Sequence, residues 1–192
     1  MGREDDELIS RAKQGDSEAW RELYRAHAGR LVVWLGTRPS GDAAVHSEDI
    51  AAEAWLTSAG KIAEFHGTSE EFAGWIFGIA RNVSRNATRR SNRRGTDPME
   101  AFDRPGGDDL EGLLAGRDWV RRALASLPER ERDVVACIDV VGLDVAQTAR
   151  ALEISAVAVR VAHHRGLRKL RMQAPAEAPE PDQPSASSSA SR

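Results

Sequence analysis

Leu127-Pro128-Glu129-Arg130-Glu131-Arg132-Asp133-Val134-Val135 is followed by Gly142-Leu143, by Gln147-Thr148-Ala149-Arg150-Ala151-Leu152, and by a basic run from Ser155. The stretch spells a helix, a glycine-marked turn, and two short helices joined by a tight turn. Such a pair is how a helix-turn-helix sets one helix in the DNA major groove. Ser155 suits the cap of the second helix. The candidate duplex contacts on it are Ser155, Ala156, Ala158, Val159, Arg160, His164 and Arg165. Arginine bonds guanine bidentately or holds a phosphate. His163 and His164 are not read as metal ligands, because adjacent histidines on a helix point apart.

The chain has 192 residues and a net charge of −3, so no global positive charge draws it to nucleic acid. Its arginines are concentrated instead. Arg81, Arg85, Arg89, Arg90, Arg93 and Arg94 form one acid-free patch; Arg160, Arg165, Arg168, Lys169 and Arg171 form another. Local patches of this kind make a phosphate-binding footprint. A single cysteine, Cys137, sits among apolar residues and is expected to pack as a small hydrophobe. No run has the length of a membrane span, and Met1 to Glu7 is acidic rather than a signal peptide, so a cytoplasmic protein is expected. With no glycine-rich phosphate loop, nucleophile elbow or metal-ligand spacing, an enzyme is not expected. No catalytic residue, cofactor or metal site is assigned.

The rest of the chain reads as helices. Leu8, Ile9 and Ala12 suggest a short one ending at Gly15, and Asp16 caps the next. Trp20, Leu23, Tyr24, His27, Leu31 and Trp34 make one face of that helix. Pro39, Gly41 and Asp42 break it, and Ser47 opens a third helix with Glu48 and Asp49 in its first turn. Thr68 and Glu71 form a capping box. Phe72, Trp75, Ile76, Ile79 and Val83 follow at helical spacing as a core stripe that fades as the arginines continue. Phe77 lies off that stripe and is the candidate for stacking on a base; Phe65, His66 and Gly67 precede the helix as a receiving loop, with Arg81, Asn82, Arg85 and Arg89 beyond. Aromatics beside arginines suit single-stranded nucleic acid. The fold class is therefore all-α, with two small helical domains, 1–94 and 116–172. A flexible acidic linker, 95–115, joins them, and a disordered tail, 173–192, follows.

Four segments carry a resemblance: Asp16 to Tyr24, Ser47 to Trp55, Phe72 to Val83, and Leu127 through Arg171. On them the chain resembles the extracytoplasmic-function (group IV) sigma factors of bacterial RNA polymerase, in the sigma-70 family. The resemblance implies a sigma-2-like domain at 1–94 and a sigma-4-like helix-turn-helix domain at 116–172. It implies that the helix from Glu48 binds the β′ clamp helices of core polymerase through Asp49, Ile50, Glu53 and Ala54. The loop and helix from Phe65 through Asn82 would open and read the −10 element; the Ser155 helix would read the −35 element as duplex. The β flap and an anti-sigma factor are further partners that the resemblance leads one to expect. Ala52, Asn86, Ala158 and Ala162 depart from the family's usual residues and point to an altered promoter preference. The alternative reading is a stand-alone helix-turn-helix regulator, which leaves Trp75 to Arg94 without a task.

Overall fold

Side-chain caps set the helix ends in this computed structural model, which describes residues 6–38, 47–94 and 119–173, with backbone alone for 91–94. Helix α1 (Glu7–Lys13) starts where the Asp6 carboxylate accepts from the Ile9 amide, and it stops before Gly15, whose φ of 82° suits glycine. Asp16 accepts from the Glu18 amide to open α2 (Ser17–Gly36). Helix α3 (Ser47–Lys61) runs into a 3-10 turn, Ile62–Glu64. The capping box before α4 (Ser69–Arg94) is formed in both directions: Glu71 N donates to Thr68 Oγ1 and Thr68 N donates to Glu71 Oε2. A side chain at Gly67 would put its Cβ 2.5 Å from that same Glu71 oxygen, so the box requires glycine there.

In the second half, residues 119–125 form α5, and α6 (Glu129–Val135) begins directly after Pro128. Five residues of π-helix, Ala136–Val140, continue α6. Helix α7 (Val145–Leu152) carries a complete Asp144–Gln147 capping box and ends at Glu153, a non-glycine residue at φ 56°. Helix α8 (Ala156–Gln173) is capped by Ser155 Oγ, which accepts from the Ala158 amide. All described regular structure is helical, in two domains. The segments read above as acidic linker and disordered tail, and the break at Pro39–Asp42, lie outside the described residues.

The first domain closes around Phe72, fully buried, whose ring meets those of Trp20, His27, Trp55, Phe65 and Trp75. Tyr24, expected on the buried face of α2, is 54% exposed and lies against Trp55 instead. In the second domain α6 packs on α8. The approach is so close that a Cβ at Gly166 would fall 2.7 Å from Val135 Cγ2. Arg132 ties α5 to α6 by donating to the Leu124 and Leu127 carbonyls.

The two domains also pack on each other, and among the described elements α4 and α7 make the most extensive contact. Two glycines one turn apart allow it. A Cβ at Gly74 would sit 2.7 Å from the Gln147 carbonyl oxygen, and one at Gly78 3.6 Å from that of Ala151. Polar contacts border this strip. Gln147 Nε2 donates to the Glu70 carbonyl at 2.8 Å, and Arg150 lies 3.7 Å from Glu71 and over the Phe65 ring. Arg30 donates to the carbonyls of Val141 and Gly142. Arg38 covers the Trp34 ring and meets Asp133 at 3.0 Å, both side chains nearly buried. Burial raises the Asp133 carboxyl above its usual range despite that guanidinium. The pair therefore adds little net stability, while removing either partner would leave a costly buried charge.

His27 is buried against Phe72. Burial, helped by the Arg30 charge, pushes its imidazole down to about 4. The folded chain then binds fewer protons than the unfolded chain, whose histidine titrates near about 6.5. This contribution to stability is complete above about pH 6.5 and is lost as the pH falls toward about 4. Thermal melts across that window should show Tm falling with pH in the parent chain and falling less in His27→Phe. Parallel slopes would rule out this source of the acid sensitivity.

Candidate nucleic-acid interfaces

On α8 the periodicity separates a packed face from a free one. Val159, Ala162 and Gly166 are buried. Val157, Arg160, Val161, His164, Arg165 and Arg168 are exposed and recur at three and four, a single stripe. Of the residues proposed from sequence, Ser155, Arg160, His164 and Arg165 lie on the open side, and Ala156 and Ala158 are half-buried at its edge. Val159 is a correction: it is fully buried, because it faces inward to hold the helix-turn-helix together. Val157 and Val161, which the sequence reading passed over, are 66% and 44% exposed. Two open valines among arginines suit contact with thymine methyl groups beside guanine and phosphate contacts. Their signal was present in the sequence, since they are four apart and in phase with Arg160, His164 and Arg165. His163 does not join the stripe; its Nε2 lies 2.7 Å from Asp139 Oδ2. Among the described residues no cluster of His, Cys, Asp and Glu is placed to hold a metal.

The second surface is the loop before α4 and the outer turns of that helix. His66, Asn82, Arg85 and Arg89 are exposed there. Phe77 is a correction. Its ring is fully buried, 5.4 Å from that of Trp34, and is not available to a base. Phe65 is likewise 2% exposed, edge-on to Phe72. Helix α4 is covered on more than one side, so its buried arc is wider than a single stripe and takes in Ala73, Phe77 and Ala80. Trp75, assigned to the core from sequence, is only half-buried and stands beside the loop with its ring 4.9 Å from Phe65. Gly67 is buried at the loop's base. Arg81 is mostly covered, with Nη1 3.9 Å from Glu153.

The third surface is α3. Asp49 and Glu53 are exposed on one side, with Ala52 and with Leu56 at 75% exposure. Ile50 and Ala54 are corrections: both are buried in the core of the domain. Leu56 was missed, although it lies one turn beyond Ala52 and Glu53. Arg90 Nη2 approaches Glu53 at 3.7 Å.

Two family profiles match the chain. The Sigma-70 region 2 profile covers residues 23–94, and the Sigma-70, region 4 profile covers residues 117–170. The ECF RNA polymerase sigma factor ShbA of Streptomyces griseus subsp. griseus is 31% identical over 176 residues, spanning 85% of this chain and 92% of that protein. The ECF RNA polymerase sigma factor SigF of Caulobacter vibrioides is 33% identical over 165 residues, spanning 85% of this chain and 89% of that protein. Among solved structures, CnrH in complex with the cytosolic domain of CnrY superposes with a TM-score of 0.62 at 20% identity. That superposition covers 86% of this chain and 94% of CnrH. At that identity the likeness establishes the shared fold.

Phe77→Ala should cost about 3–5 kcal/mol of folding stability, as truncation of a fully buried phenylalanine does. Chemical denaturation measures it. An unchanged midpoint would return Phe77 to the list of base-stacking residues.

Proposed function

The chain belongs to the extracytoplasmic-function RNA polymerase sigma factors of the sigma-70 family, and we propose how its three surfaces divide that work. As a sigma factor it directs core polymerase to promoters and initiates transcription there. The reading as a stand-alone regulator ends at the region 2 match, which gives residues 23–94 their own task.

The observation that carries the division is the stripe on α8. Its exposed valines and arginines fit the edges of duplex bases, whereas the loop and α4 offer the partners of an unpaired strand. Helix α8 reads the −35 element through Val157, Arg160, Val161, His164 and Arg165. His66, Asn82, Arg85 and Arg89 hold the melted −10 strand, with Trp75 in place of Phe77 as the ring beside it. Asp49 and Glu53, with Leu56 on the next turn, meet the β′ clamp helices. The second domain meets the β flap. An anti-sigma factor is a further partner, supported by the likeness to CnrH, a protein solved with the cytosolic domain of CnrY. The work is cytoplasmic and needs no catalytic residue of this chain; no described helix is long and apolar enough to cross a membrane. The domains run 1–94 and 116–172, with 95–115 joining them.

Transcription in vitro with purified core polymerase on fragmented genomic DNA tests the assignment. A small set of start sites sharing two spaced motifs is expected; initiation no different from core alone refutes it. On the promoters so found, Arg160→Ala and Val161→Ala should each lose roughly 1–3 kcal/mol of binding, confined to particular upstream base pairs. Equal loss on every upstream sequence means phosphate contact only. Reversing both charges, Asp49→Lys with Glu53→Lys, should abolish co-purification with core at unchanged helical content. Retained co-purification would move the clamp contact off α3.

A further inference from the structure

We infer that Val157 and Val161 make α8 a reader of pyrimidine C5-methyl groups. A thymine in the upstream element is then recognised by its methyl, and a 5-methylcytosine at the same position counts as a thymine. This rests on the assignment of α8 to the −35 duplex and names the chemistry which that assignment leaves open. In the major groove adenine is read by the side-chain amides of Asn or Gln, and the cytosine amino group by Asp or Glu. From Ser155 to Arg168 the chain contains none of these four residue types. The Ser155 hydroxyl is committed to the helix cap, where it accepts from the Ala158 amide. The arginines match guanine and phosphate. The valines are left as the groups on the exposed stripe that match a methyl.

Neither valine has work to do in the fold. Leu167 and Leu170 on the same helix pack against the core, whereas Val157 and Val161 are open and do not join it. The helix does not need them either, since β-branched residues are weaker helix formers than alanine or leucine. What valine does supply is a fixed shape. In a helix it keeps largely to one χ1 rotamer, so its methyl groups stand at set places and little ordering is lost on contact.

The charges of α8 divide in the same way. Off the stripe, His163 Nε2 lies 2.7 Å from Asp139 Oδ2 and Lys169 Nζ lies 2.8 Å from Glu131 Oε2. On it, no ion pair or side-chain hydrogen bond among the described residues engages Arg160, His164, Arg165 or Arg168. Val161 follows Arg160 directly and precedes Arg165 by one turn, so free guanidiniums flank the valine row. A duplex held by those cations is brought against the two valines. Four residues of helix rise about 6 Å, close to two base-pair steps of about 3.4 Å. The two methyl groups read therefore lie about two base pairs apart.

The test uses the full chain with core polymerase, on a promoter found by the transcription experiment. Each thymine of the upstream element, on either strand, is replaced in turn by deoxyuridine, which removes the methyl and keeps the pairing edge. Binding should fall about fourfold at each of two positions about two base pairs apart, the worth of one buried methyl-sized group. At those positions a C·G pair is then compared with 5-methylcytosine·G, and the methylated pair should bind about fourfold better. Val157→Ala and Val161→Ala should each erase both effects at one position and leave the other intact. Effects that persist in both valine variants come from duplex shape and overturn the inference. Deoxyuridine tolerated at every position overturns it, and so does 5-methylcytosine that binds no better than cytosine. Failure of the underlying assignment looks different: if α8 does not read the −35 duplex, replacing the whole upstream element by unrelated sequence leaves binding unchanged.

Discussion

Everything in the first domain depends on the burial of one ring, Phe72. It touches aromatic side chains from α2, α3, the loop and its own helix. Those contacts fix where α4 leaves the core and therefore where its arginines emerge. Aromatic pairs prefer tilted and edge-on geometry, and the five rings around Phe72 are all inclined to it. Phe65, on the loop before α4, belongs to this cluster and stands edge-on to Phe72.

Much of this was legible in the sequence because it is local. The capping box at Thr68 and Glu71, the Asp16 cap, the stop at Gly15 and the Ser155 cap are each set by residues a few positions apart, and each was read correctly. The errors on α4 share one physical origin. Periodicity identifies a stripe when a helix buries one side, but α4 is packed by its own domain on one side and by α7 on another. Phe77, off the first stripe, looked free and is fully buried; Trp75, on it, is only half-buried. Val159 on α8 and Ile50 and Ala54 on α3 are a separate case, small or branched residues that a site argument pulled outward although they pack inside. The signal that was available and unused is Gly74-x-x-x-Gly78. Two glycines one turn apart in a long helix mark a place where another backbone comes close, at a cost in helix propensity that only such contact offsets.

The buried Arg38–Asp133 pair has a different part in the seam from the glycines. Burial acts against the charge of Asp133, so the pair does not drive closure by its own energy. It does penalise any register in which Asp133 meets apolar surface without a guanidinium. Glycine contact supplies proximity, and the ion pair together with the two carbonyls received by Arg30 selects one alignment. The recognition stripe of α8 stays clear of this seam. His66, Asn82, Arg85 and Arg89 are exposed as well, so the seam covers the Gly74 and Gly78 side of α4 and leaves its outer turns open.

Cys137 lies where the π-helical turn meets α2, near Trp34 and Arg38. Burial pushes its thiol up to about 12. With almost no thiolate and no access, it is chemically silent. Part of that shielding comes from the other domain, through Trp34. With its one cysteine buried and un-ionised, the chain offers an oxidant no thiol in this conformation.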